Sequence, residues 1–335
     1  MDRLRGEWVD PRAGQITVAE WLDRWLAGRR VRPSTAARDA SLIRNAVLPH
    51  LGGRRLGDLT PEDIRRWVAT LEGSYSRETM RKAVQVFAAA LRTAVDDGRI
   101  PRSPVPRRLD LGEPTRREMV IVEAGQVRRL CEVIDPRYRT MVLVGYLAGL
   151  RLGETAALQV GDLDLLRRTV TVEATLGRDR TRQPPKTRSS RRQVSIPQPL
   201  AEALAAHLAT YPDPDGWVFP APEGGPVDLN NWRRRVWNPA VREAGLDGLR
   251  FHDLRHSHVA ALIAAGVHVK VISERLGHSS IVVTMNTYGH LLPGLDEEAA
   301  DTLGQVWAAA GRAQSRTKRA PKPVVPLPRR NRNPL

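Results

Sequence analysis

FHDLRHSHVAALIAAG, residues 251–266, decides how this chain is read, because it sets His252, Arg255 and His256 on what its pattern predicts is one helix. His252 and Arg255 are three apart, so on a helix or its first turn both project to the same side. Downstream, LGHSS (276–280) supplies His278 and NTYGH (286–290) supplies Tyr288; far upstream, AGLRLGE (148–154) supplies Arg151 and Glu154. The chain can therefore gather two arginines, two or more histidines and a tyrosine around one ligand. Displacement at a phosphodiester adds charge to the non-bridging oxygens, which fixed donors must meet. Two guanidiniums do so without a metal, since they stay protonated and their fork matches phosphate geometry. A phenol, with an ordinary pKa of about 10, attacks at neutral pH only beside a base or in strongly positive surroundings. Of the five tyrosines (Tyr75, Tyr138, Tyr146, Tyr211, Tyr288), only Tyr288 follows such groups.

Each residue alone has an ordinary reading. Among 48 arginines a single one is usually a surface residue, an isolated histidine usually caps or packs, and a tyrosine at a helix end is usually half buried. The order and spacing of the set lift it above that background. The pattern resembles the tyrosine recombinases, the phage integrase family, whose series is Arg, Lys, His-x-x-Arg, His or Trp, then Tyr. The likeness runs from about Thr17 to about Leu303.

The resemblance implies roles. Arg151 and Arg255 would hold the scissile phosphate, with Glu154 steadying Arg151 or capping the next helix. His252 would accept a proton near Tyr288, and His278 would donate to a phosphate oxygen. Lys186, in PPKTRSSRR, would protonate the leaving 5'-oxygen from a hairpin, although its flanking Arg188, Arg191 and Arg192 also fit a plain phosphate-contacting loop. His256, His258 and His290 receive no catalytic role; His256 is expected to pack or orient. Tyr288 would form a 3'-phosphotyrosyl link and free a 5'-hydroxyl. That link stores the bond energy, so no cofactor, ATP or metal is called for. The partners implied are double-stranded DNA attachment sites, a homotetramer on DNA, and an accessory directionality factor, in integration or excision of a phage or mobile element. The last helical pattern, Leu295 to Ala310, would dock on a neighbouring subunit or close its own core.

Composition agrees with a polyanionic partner. The 335 residues carry 53 Lys and Arg against 37 Asp and Glu, a formal charge of +16, which favours nucleic acid or an acidic surface. The longest clean apolar run, Met141 to Leu150, is well short of the roughly 20 residues that span a bilayer. The first ten residues are charged, unlike an export signal. The lone Cys131 lies in an apolar helical pattern, as a buried inert thiol does. A reducing cytoplasm, at the nucleoid, fits.

The expected fold class is mainly α with a small antiparallel β-sheet: an N-terminal four-helix core-binding (SAM-like) domain, then an α+β catalytic domain of the tyrosine recombinase type. Residues 1–15 read as a short remnant. Residues 16–98 read as four helices, opened by a Thr17/Glu20 capping box, Ser34, Thr60-Pro61 and Ser76. Prolines 101, 104, 106 and 114 mark a linker over 99–118. The catalytic domain spans 119–311, with alternating TVTVEA and RQVSIP as its strands. Residues 312–335, with eight basic residues, no acidic ones and five prolines, cannot build a core and are expected to be disordered.

Four rivals follow from the same residues. A type IB-like topoisomerase would share the chemistry without exchanging partners, and a chromosome-dimer resolvase would share everything but the biological setting. A zinc site on His252, His256 and His258 has Asp253 where a zincin needs Glu. A DNA-binding protein with a decayed site would lack some of the set, and here every slot is filled.

Overall fold

A computed structural model describes residues 13–113, 119–185, 190–291 and 300–309. Most of the expected remnant at 1–15, the linker's residues 114–118, Lys186 and the tail at 312–335 lie outside the described residues. The chain divides into two compact units. The first comprises Met1–Val120, Thr175–Gln183 and Ala221–Arg235; the second comprises Ile121–Ala174, Pro184–Pro220 and Val236–Leu335.

In the first unit α1 (Val18–Gly28) starts at a reciprocal capping box, Thr17 with Glu20, which satisfies two of the orphan donors of the first turn. Helix α2 (Pro33–Leu42) begins one residue before the expected Ser34, because Pro33 takes the first helical position and Arg32 the cap. It runs through a π-helical turn, Ile43–Val47, into α3 (Leu48–Leu51). Helix α4 (Pro61–Leu71) is capped by Thr60 and Asp63, and α5 (Arg77–Asp96) by Ser76. Apolar residues at three- and four-residue spacing turn inward as Leu22, Ile43, Ile64, Trp67, Phe87 and Leu91. Trp67 meets Phe87 edge to face at 5.3 Å. Its indole also donates to the carbonyl of Ala46 at 2.7 Å, within the π turn, where the ordinary helical pairing is interrupted. Residues 99–113 hold no helix or strand. They nevertheless belong to this core: Ile100 is buried in it, and Val105, Leu109 and Leu111 pack against it.

The second unit opens with α6 (Ala124–Val133) and α7 (Pro136–Leu143), which continues as a π-helical turn, Val144–Ala148. Gly149 ends it at φ +67°, the left-handed conformation that glycine adopts without strain. The short α8 (Leu152–Ala156) follows. Strands β1 (Leu163–Asp164), β2 (Thr169–Val172) and β5 (Arg192–Ser195) form an antiparallel sheet in the order β1-β2-β5, with Val170 opposite Val194 and Val172 opposite Arg192. A two-stranded ladder, β3 (Thr175–Leu176) with β4 (Arg182–Gln183), belongs to the first unit. The expected sheet is thus two small ladders.

Helix α9 (Gln198–Thr210) comes next, followed by α10 (Leu229–Trp232), whose residues fall in the first unit. A π-helical turn, Arg233–Trp237, leads from α10 into α11 (Asn238–Glu243). Then come α12 (Phe251–Ala264), α13 (Val269–Leu276) and α14 (Ile281–Tyr288). Trp237 seats the start of α12, donating from its indole to the carbonyl of Leu249 and meeting Phe251 edge-on. Residues 300–309 are helical and exposed, including Leu303, Val306 and Trp307. Among the described residues, no helix is long and apolar enough to cross a membrane.

Candidate active site

The π turn at the end of α7 organises the site. A π turn interrupts the regular i to i−4 ladder, and here three neighbouring carbonyls face side chains from α12 and α13. Tyr146 O accepts from His258 Nδ1 at 2.8 Å, Leu147 O from Arg275 Nη2 at 3.2 Å, and Gly149 O from Arg255 Nη1 at 2.7 Å. Arg275 Nε donates to His258 Nε2 at 3.0 Å. Because a guanidinium only donates, His258 must accept through Nε2 and carry its proton on Nδ1. Both its nitrogens are taken, which leaves it none for a metal. Burial first, then Arg275, lowers His258 to about 4, so it is neutral.

Arg255 is buried, at 1% exposure. Besides Gly149 O, it donates through Nη2 to Leu276 O at 2.6 Å and lies 3.3 Å from His278 Nε2. Burial first, then the charge of Arg151, pulls it down to about 9, which still leaves it protonated at neutral pH. His278 is oriented from its other side by Thr284, Nδ1 to Oγ1 at 2.8 Å. Its position follows from Gly277, left-handed at φ +66°, which stops α13 and turns the chain toward α14.

Arg151 caps α8 and leans on Glu154: its amide meets Oε2 at 3.0 Å and its Nη1 meets Oε1 at 2.7 Å. Both expected roles of Glu154 are therefore combined. The same carboxylate also receives Arg192, Nη2 to Oε2 at 2.9 Å. Burial alone would raise Glu154, but Arg192 and then Arg151 more than reverse it and hold it at about 2. Arg192 is 6% exposed and Arg151 38%, so Arg192 is an internal strut whereas Arg151 keeps a face open to a ligand. Arg192 Nε also donates to Arg275 O at 2.7 Å, tying β5 to α13 just ahead of His278.

Tyr288, at the end of α14, is 2% exposed. Burial pushes its phenol up to about 12 against the pull of Arg255 and then Arg151. Its hydroxyl oxygen lies 2.7 Å from Nδ1 of His256. His252 stands edge-on to His256, ring centroids 4.7 Å apart, and keeps solvent access. Its charged form is disfavoured, first by desolvation and then by His256, Arg255, Arg151 and Arg250.

The structure thus brings together five of the six expected site residues: Arg151, His252, Arg255, His278 and Tyr288. Lys186 lies outside the described residues. Two participants escaped the sequence reading. His256, given only a packing or orienting role, is the ring hydrogen-bonded to Tyr288. Its i, i+4 spacing from His252 already placed both on one helix face. Arg192, read as the first residue of the RQVSIP strand and as one of the basic residues flanking Lys186 but given no part in the site, shares the strand phase of the buried Val194, and that alternation was its signal. Among the described residues, no group of three or more His, Cys, Asp or Glu could hold a metal ion.

Comparison with known proteins places the chain in a family. A model of the Phage integrase family matches residues 121–294, and one of the phage integrase N-terminal SAM-like domain matches residues 17–71. The ICEBs1 integrase of Bacillus subtilis is 30% identical over 251 residues, covering 70% of this chain and 67% of the relative. An integrase from Streptomyces ambofaciens is 29% identical over 303 residues, covering 81% and 74%. The Tn1549 transposon integrase, solved with a circular intermediate DNA, superposes with a TM-score of 0.75 at 21% identity, covering 87% of this chain and 99% of that one; at that identity the likeness is one of fold. The chain belongs to the phage integrase family and is a tyrosine recombinase, an enzyme that cleaves and rejoins DNA.

Proposed function

We propose that this recombinase integrates or excises a phage or other mobile element at paired attachment sites, with Tyr288 as its nucleophile. The observation that carries the reading is the position of the Tyr288 oxygen, 2.7 Å from Nδ1 of His256, the residue that follows Arg255 on α12. In this reading Arg151, Arg255 and His278 receive the non-bridging oxygens, and the charge that develops there is met by donors already held in place. Tyr288 attacks the phosphorus and the 5'-oxygen leaves, protonated by Lys186. The freed 5'-hydroxyl of a second duplex then reverses the step.

Residues 16–98 would act as a core-binding domain and 119–311 as the catalytic domain, joined by a linker at 99–118. Exchange between two duplexes takes four active sites, hence a tetramer on DNA. The exposed Leu303, Val306 and Trp307 offer an apolar stripe to a neighbouring subunit. An accessory directionality factor would choose between integration and excision.

The test is to select binding duplexes from a random-sequence pool and place the recovered site in pairs on supercoiled plasmids. Products joined across two sites support a recombinase. Relaxation without joining would leave a topoisomerase-like enzyme instead.

A further inference from the structure

We infer that His256 is a catalytic residue, the group that accepts the Tyr288 proton when the tyrosine attacks. The inference rests on the proposed role of Tyr288 and deepens it. The contact is direct: the hydroxyl lies 2.7 Å from Nδ1, inside the range for an O–H donor and a ring nitrogen. Among the described residues, no other side-chain hydrogen bond to that hydroxyl is found. His252, the expected acceptor, touches the ring of His256 rather than the phenol.

The charges facing each ring separate the two. From its own helix and cap His256 faces Asp253, Arg250, Arg255 and His252, and from α14 it faces Tyr288. Burial lowers its proton affinity most, so it is neutral and ready to accept. Asp253, 0% exposed and held by Arg250, opposes that loss and favours the imidazolium, whereas Arg250 and Arg255 add smaller contributions against it. The groups around His252 all disfavour its charged form.

The step balances as follows. The Tyr288 O–H bond breaks and its proton passes to Nδ1 of His256, giving an imidazolium. The phenolic oxygen bonds to phosphorus as the bond from phosphorus to the 5'-oxygen breaks, and that oxygen takes a proton from the general acid. In the reverse step the incoming 5'-hydroxyl gives its proton to the general acid, deprotonated in the forward step, and bonds to phosphorus; the bond from phosphorus to the phenolic oxygen breaks, and His256 returns its proton to that oxygen.

The test uses the full chain on a selected, nicked duplex whose scissile bridging oxygen is replaced by sulfur. Sulfur leaves without a proton, so the rate reports the nucleophile alone. His256→Asn keeps an acceptor near the Nδ1 position but no base, and should slow adduct formation by about 10²-fold or more at pH 7. The deficit should shrink as pH rises. Imidazole in solution should partly restore His256→Ala, with thermal unfolding confirming that both variants fold. Wild-type rate and pH profile in His256→Asn would overturn the inference. So would a profile shifted by His252→Asn alone, or a folded, inactive His256→Ala that imidazole leaves inactive. Failure of the unsubstituted chain to form any adduct is read first, and it would remove the nucleophile assignment itself along with this inference.

Discussion

Arg192 and Glu154 form a buried ion pair, 2.9 Å between Nη2 and Oε2 with both side chains at 6% exposure or less, and Arg151 is steadied on the same carboxylate. Removing one member of a buried pair costs roughly 3–5 kcal/mol where the other charge is left uncompensated, and with Arg151 still on Glu154 the loss of Arg192 falls toward the low end of that range. Arg192→Ala should therefore lower stability by about that much in chemical denaturation, and Arg192→Ala with Glu154→Gln by clearly less. Equal losses in the single and double variants would show that the pairing contributes little.

Gly149 turns the chain at φ +67°, and a Cβ there would come within 2.7 Å of the His258 ring. Its carbonyl is also a partner of Arg255. Gly149→Ala should cost on the order of 1–3 kcal/mol and reduce DNA cleavage further than that loss of stability explains. Thermal unfolding and single-turnover cleavage measured side by side check both parts.

His258 is neutral in the folded protein at about 4, against 6.5 without burial. The unfolded chain therefore takes up a proton that the folded one refuses, so stability is full above pH 6.5 and falls as pH drops toward 4. The difference between the two values corresponds to roughly 3 kcal/mol across that window. The midpoint of urea unfolding should decline between pH 7 and pH 4.5, and His258→Gln should flatten the slope. A slope unchanged in that variant would place the proton uptake on other groups.

Binding to a selected duplex should weaken steeply with salt, because arginine contacts to phosphate release counterions. Affinity should fall about 10³-fold or more between 50 and 200 mM salt. A flat response would contradict a mainly electrostatic grip.

Helix starts were legible because they are local: Thr17 with Glu20, Thr60 with Pro61, and Ser76 act within one turn. The order of Arg151, His252, Arg255, His278 and Tyr288 was legible as a pattern. What the pattern hid is who touches whom. Arg255 is fixed by carbonyls 106 and 21 residues away, and His256 meets Tyr288 across 32; no local rule reports such pairs. The π turns at Ile43–Val47 and Val144–Ala148 were likewise unreadable, since a π turn answers to side chains that arrive from distant helices. Residues 99–113 show the converse: prolines marked the lack of regular structure, whereas the packing of Ile100 and Leu109 on the bundle depends on tertiary fit.

The central claim is that the phenolic oxygen of Tyr288 becomes covalently joined to DNA. The chain should be incubated with a nicked suicide duplex of selected sequence and digested, and the adduct located by mass spectrometry. A nucleotide on Tyr288, lost in Tyr288→Phe while binding to the duplex persists, is the predicted result. An adduct on any other residue, or one that survives in Tyr288→Phe, would contradict the account.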